Sequence, residues 1–276
     1  MKSILPLLAL VFLVVSCTPG NEDNEGTQLK RLRFVSPATP ISPEQVSHLD
    51  LEYDAAERVT RIQCHMGDGE QAGDTTMYRI RFTYTGNNLL PTTAIAGEGP
   101  AANIKTHYLF YNGSGELTRD SIVSAGGDLL TFVLTRSGDI VINTITGNPQ
   151  LEPAAGARDT MRFENGNLVY FRRSHPQRYI RTELQFDNHH NPIGRLNIAP
   201  ILPVLGLESD PTKSFWSVWQ YGRNNLTRYR RWTGIYPTPD EDYVRTYTYR
   251  NDSFPLSSDW KFVSGELQET LYYIYQ

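Results

Sequence analysis

The chain has 276 residues, a formal net charge of −4 and only two cysteines. The acidic balance leaves no basic footprint for nucleic acid, and two cysteines exclude a disulfide-dense scaffold. Stability must come from packing, and a chain of this length can bury a sizeable apolar core.

Residues 1–16 read as a targeting segment. Lys2 gives the positive charge, and the apolar run Ile4–Val15 is broken only by Pro6. The run is shorter than the roughly 20 residues of a spanning helix. It leads through Val14, Val15 and Ser16 into Cys17, which resembles the lipobox of bacterial lipoproteins. The resemblance implies cleavage before Cys17, lipid attachment on its sulfur and the membrane as a partner at that anchor. Residues 17–27 form a polar, acidic linker that cannot bury apolar area. This linker is similar to the surface-export signal of Bacteroidota lipoproteins. The implied location is the outer membrane, facing the cell surface or the periplasm. With Cys17 lipidated, Cys64 stands alone in RIQCHM, where a small buried hydrophobe is expected rather than a nucleophile.

Residues 28–276 read as a single β-rich domain. Ser42–Leu49 can hold one short helical turn, with Ser42 as cap and Pro43 at the first position. Beyond it the hydrophobic period is two. In Tyr78–Tyr84 one face is Tyr/Ile/Phe/Tyr and the other Arg/Arg/Thr, the mark of a half-buried strand. The alternation returns in Thr106–Tyr111, Arg181–Phe186, Ser217–Tyr221 and Arg245–Arg250.

A unit also repeats. An aromatic strand runs into an Asp/Asn-rich turn and then a short second strand. Copies are LEYDAAERVTRIQ from Leu51, FTYTGNNLLPTTAI from Phe82, LFYNGSGELTRDSIV from Leu109 and TRSGDIVINTI from Thr135. They continue with MRFENGNLVYFRRS from Met161, LQFDNHHNPIGRL from Leu184, WQYGRNNLTRYRRW from Trp219 and YTYRNDSFPLSSDW from Tyr247. Gly and Asn tolerate the positive φ of tight turns. Copies without Gly, such as YDAAERV and RNDSFP, are expected to be longer or bulged. The predicted fold is all-β, a long antiparallel meander of hairpins forming a strongly curved sheet or an incomplete barrel.

The clear break in this rhythm is Arg195–Lys213, with Pro200, Pro203, Pro211 and the apolar run Ile198–Leu207. It reads as a lid over an open end of the core, or as an apolar contact loop. Candidate ligand contacts are therefore Ile198, Ile201, Leu202 and Leu205 for a lipid, and Trp216, Trp219 and Trp232 for a glycan; an envelope protein is a third candidate partner.

The turns carry a family resemblance. YNGSGELTRDSIV is similar to the YD repeats of Rhs-type proteins. The lipobox, the Tyr/Phe-Asp/Asn-Gly-Leu turns, FDNHHNP from Phe186, NNLTRY from Asn224, YTYRNDSFP and the terminal LYYIY together resemble a family of uncharacterised Bacteroidota lipoproteins. That resemblance implies a porin-like β fold and brings no catalytic residues.

No HExxH pair or G-x-S-x-G elbow occurs. Asp187, His189 and His190 read as turn residues, and the acidic tips Gly67–Asp74 and Pro239–Asp242 as solvated loops, so no metal site and no cofactor is expected. Arginines interleaved with aromatics, as in Arg228–Trp232, read as cross-strand pairing on a solvent face. Asp74-Thr75, Asp120-Ser121 and Asp159-Thr160 resemble an O-glycosylation acceptor pattern, making Thr75, Ser121 and Thr160 candidate sites. The expected function is a non-catalytic binding or envelope-support lipoprotein. The alternatives are a hydrolase of envelope or glycan polymers, and a transmembrane β-barrel.

Overall fold

The structure, a computed structural model, describes residues 28–35, 47–66, 75–97, 104–124, 126–147, 155–175, 178–201 and 222–276. Strands β1 (Leu29–Val35), β2 (Ser47–Tyr53), β3 (Val59–Met66) and β4 (Thr75–Thr83) open the sheet. They are followed by β5 (Thr93–Ala96), β6 (Lys105–Tyr111), β7 (Leu117–Ser124) and β8 (Gly127–Ser137). Then come β9 (Ile140–Gly147), β10 (Arg158–Glu164), β11 (Asn167–His175) and β12 (Arg178–His190). The last four are β13 (Asn224–Thr233), β14 (Glu241–Tyr249), β15 (Pro255–Phe262) and β16 (Leu267–Tyr275). Each strand pairs antiparallel with its sequence neighbours, and β1 pairs with β16, so the meander closes into a barrel. The all-β meander is as expected, and the ring goes one step beyond a curved sheet or incomplete barrel. Closure leaves no edge strand with unpaired backbone groups.

The expected helical turn at Ser42–Leu49 falls partly outside the described residues, and its last three positions are already in β2. Ser217–Tyr221 and the loop Gly67–Asp74 also lie outside them. FDNHHNP is not a simple turn: β12 runs on to His190, with bulged register, before the chain leaves the sheet.

Alternate connections lie at opposite ends of the barrel. One end, here called the terminal end, holds Gln28 and Gln276, whose backbones bond at 3.0 Å. There, Tyr53, Tyr84, Tyr111, Tyr247 and Tyr275 repeat one contact. Each hydroxyl donates to a carbonyl at the start of the preceding strand, at Leu29, Val59, Pro91, Leu226 and Pro255. The residue after Tyr53 or Tyr111 then caps the turn. Asp54 Oδ1 accepts from the Ala56 and Arg58 amides at 2.9 and 3.0 Å, and Asn112 Oδ1 from those of Ser114 and Glu116 at 3.0 and 2.9 Å. The repeated Tyr-Asx rhythm is thus a latch followed by a cap. Turns without Gly are no longer than those with it. Glu57 (φ 59°) and Ser253 (φ 68°) take the left-handed place that Gly115 (φ 79°) fills elsewhere. A register shift accompanies both kinds.

The inner face of the wall is largely apolar, and the outer face mixes charged residues with exposed Ile95, Tyr108, Phe110, Val133, Leu256, Tyr272 and Ile274. In β4, Ile80 and Phe82 are buried while Arg81 and Thr83 are exposed; in β1, Leu32 and Phe34 alternate with Arg33. Lys30, Arg119, Arg162 and Arg172 also stand exposed on the outer face. A round ring of 16 strands leaves a water-filled lumen. Here one apolar cluster instead draws side chains from strands all around the ring, including Phe132, Ile145, Leu226 and Leu271. The interior is a packed core. A few inward polar groups pair with one another within it. Arg173 grips Asp159 with two bonds of 2.7 and 3.0 Å, Asn143 donates to the same carboxylate at 3.2 Å, and His107 meets Asp120 at 2.7 Å.

Candidate functional site: a plugged end and its pocket

Between β12 and β13 the chain leaves the wall and turns into the terminal end. Pro192 precedes a single 3-10 turn, Ile193–Arg195, followed by turns up to Ile201. Ile193, Ile198 and Ile201 belong to the core cluster, and the last two are wholly buried. Asn197 ties this segment to the other side of the ring. Its side chain accepts from the Val59 amide at 3.0 Å and donates to the Tyr84 hydroxyl at 2.8 Å and the Leu89 carbonyl at 2.7 Å. The segment is a plug, which matches the lid reading. Ile198 and Ile201 are therefore core residues and not an exposed contact surface. Leu202, Leu205, Trp216 and Trp219 lie outside the described residues.

The base of the excursion is clasped. The Asn191 side chain donates to the Gly222 carbonyl at 3.0 Å, and Asn167 and Asn224 exchange two bonds of 2.9 Å. Two glycines make this close passage feasible. A Cβ on Gly194 would stand 2.2 Å from the Gly222 carbonyl oxygen, and a Cβ on Gly222 2.5 Å from the Phe186 ring. Asp187 accepts from the His189 and Asn225 amides at 2.9 and 3.1 Å and from the Tyr249 hydroxyl. His189 stacks on Tyr249 and His190 tilts against Phe254, so the two adjacent histidines diverge. The Asn-rich motifs FDNHHNP and NNLTRY meet each other. Sequence reading took them as separate turns, because their pairing depends on strand register.

Beside the plug, at the tips of the β6–β7, β8–β9 and β10–β11 hairpins, lies a cavity of about 540 Å³. Its floor is apolar, from Leu117, Leu134, Val141, Met161 and Phe163, and Ala199 and Pro200 of the plug form one side. Its rim is charged. Glu116 and Arg136 pair at 3.0 Å, Arg136 lies over the Phe163 ring at 5.5 Å, and Asp139 and Arg223 complete the edge. An apolar floor with a few convergent polar groups is the usual form of a small-molecule site. A second, more open groove on the outer face of β10–β13 holds the ion pairs Arg230–Glu183 at 2.9 Å and Arg162–Glu164 at 3.4 Å.

The other sequence candidates are dispersed. Trp232 is buried, its indole donates to the Pro237 carbonyl at 3.3 Å, and Arg181 covers its ring at 4.0 Å. It offers no open face for a sugar. Ser121 and Thr160 are half-buried on paired strands, while the neighbouring Asp120 and Asp159 point into the core. Thr75 begins β4. Cys64 packs against the core, and burial pushes its thiol up to about 12, which makes it a poor nucleophile. Cys17 lies outside the described residues.

No protein-family model matches the chain. No curated protein matches it either. Among solved structures it is similar to a porin-like protein from Bacteroides vulgatus, with a TM-score of 0.54 at 11% identity over 90% of this chain and 98% of that one. A porin-like protein from Bacteroides uniformis aligns over 91% of this chain and 99% of its own, at 12% identity and a TM-score of 0.41. The first likeness shows a shared fold, in agreement with the porin-like β fold that the sequence resemblance implied.

Proposed function

We propose that this chain is a lipid-tethered, non-catalytic binding module of the outer membrane whose barrel stands in water, and whose ligand is a small amphiphile taken up beside the plug. The observation that carries the reading is the polarity of the wall. A membrane-spanning barrel turns apolar side chains outward and keeps a polar interior. This barrel has an apolar core, and its outer face carries arginines among exposed aliphatic and aromatic residues, while Arg173, Arg231 and Arg245 are buried. An arginine facing lipid at mid-bilayer costs about 2–4 kcal/mol, and several are exposed here. The tether at Cys17 supplies attachment without a spanning surface. The pocket favours an amphiphile over a glycan. Its floor is aliphatic with one Phe, its rim offers charges of both signs, and Trp232 is packed away.

The test is displacement of an apolar fluorescent probe by a lysophospholipid and, separately, by an oligosaccharide. The expected result is saturable displacement by the lysophospholipid alone, abolished by Ala199→Trp, which fills the cavity from the plug side. Binding that is absent, or that persists unchanged in Ala199→Trp, removes the pocket from the account.

A further inference from the structure

We propose that His48, Asp50 and His65 form a binding site for one divalent transition-metal ion of the zinc class on the outer face of β2 and β3. The proposal is independent of the amphiphile reading.

The register builds the cluster. His48 stands directly opposite His65 across the β2–β3 ladder, and Asp50, two residues on from His48, shares its face. The two imidazoles lie parallel, 4.6 Å apart at 8°. Both Nε2 atoms point to one oxygen, Asp50 Oδ2, at 3.7 and 3.8 Å. Those separations exceed a hydrogen bond. One donor atom from each residue falls within 4.8 Å of the other two. Ligation at about 2.0–2.2 Å requires the two rings to turn out of their parallel stack, so that their in-plane lone pairs converge beside Asp50 Oδ2, and the donors to close in. His65 Nδ1 is in addition buried without a hydrogen-bond partner.

Arg31 orients the carboxylate. From the neighbouring β1 it holds Asp50 with a fork of 2.5 and 2.9 Å. A carboxylate has about four lone-pair positions, so the fork leaves Oδ2 room for a further partner while fixing its direction. Outer-shell groups play this role in metal sites. The Arg31 charge weakens attraction for a cation, and Asp50 offsets it. The donor set settles the class of ion. Two imidazole nitrogens with one carboxylate suit zinc, copper or nickel, whereas calcium takes oxygen donors throughout. His48 is almost fully buried, and His65 and Asp50 are partly open, at 16% and 26% side-chain exposure. A water can therefore occupy a fourth position, and ions can exchange.

The experiment is calorimetric titration of the untagged, chelator-stripped full chain carrying Cys17→Ser, with Zn²⁺, followed by Co²⁺ as a spectroscopic probe. Expected are one ion per chain and visible cobalt bands without a thiolate transition. His48→Ala and His65→Ala should each weaken binding by about tenfold or more, and Asp50→Asn should do likewise. His190→Ala should leave it unchanged. Circular dichroism checks that each variant is folded. Should an alanine variant misfold, His65→Gln replaces it, and the cobalt spectrum of the parent chain reports nitrogen and oxygen donors directly. Absence of stoichiometric uptake overturns the site, as does uptake that survives His48→Ala and His65→Ala together.

Discussion

At the terminal end of the barrel, the hairpin turn from Asp54 to Arg58 and the excursion from Asn191 to Arg223 connect well-separated pairs of strands by different means. The hairpin is local. Asp54 caps its own turn, Glu57 supplies the left-handed residue, and Arg58 returns to the Asp54 carboxylate at 2.8 Å. The excursion is held from far away. Asn197 bonds to Val59, Tyr84 and Leu89 across the ring, and a Cβ on Gly194 would collide with the Gly222 carbonyl. A short-range code thus suffices to build the wall, and sealing it requires residues distant in sequence to coincide. The pocket lies between the excursion and the tips of the β6–β7, β8–β9 and β10–β11 hairpins.

The difference can be broken at its strongest point first. Ile198→Ala removes a wholly buried side chain of the plug, and about 2–5 kcal/mol of stability should go with it. Chemical denaturation measures this, and a loss well below that range would mean that the plug is not part of the cooperative core. Gly194→Ala forces a Cβ against the Gly222 carbonyl and should cost about 1–3 kcal/mol. Faster proteolysis confined to the excursion is the expected companion. Tyr84→Phe deletes a latch that also touches the plug, for about 0.5–1.5 kcal/mol. Tyr53→Phe provides a latch with no plug contact for comparison. Glu57→Gly relieves a positive φ in a local turn and should stabilise by about 1 kcal/mol or less.

The smallest effect concerns pH. Burial lifts the Glu269 carboxyl above the ordinary glutamate range, and the nearby Arg245 offsets this only in part. The folded state therefore holds that proton more tightly than the unfolded chain does. This group's contribution to stability rises as pH falls from neutrality through the raised range, and levels off below the ordinary glutamate value. Glu269→Gln should remove that part of the pH slope in denaturation midpoints.

The sequence exposed the local half of this architecture well. Period-two runs located β4, β6 and β14, and the Tyr-Asx rhythm marked the hairpin turns, because both signals arise within a few residues. It also marked Arg195–Lys213 as a departure from the wall. It did not reveal closure, since the pairing of β1 with β16 joins the two extremes of the domain. Nor did it show that Glu57 and Ser253 could replace Gly without lengthening their turns. The histidines that attract notice in the sequence, His189 and His190, diverge in space. His48 and His65, well separated in the chain, converge through register alone. Likewise, Asp120 and Asp159 read as half of a modification motif, yet each is occupied in the core.

The account rests on a closed barrel with an apolar core and an outer face that carries exposed arginines. Its most direct test is to mix the chain lacking residues 1–26 with lipid vesicles in detergent-free buffer and measure its partition. The account predicts a folded, β-rich protein that stays in the aqueous phase. Spontaneous insertion into the vesicles, or a requirement for detergent to remain in solution, would contradict it and return the chain to the membrane-spanning class.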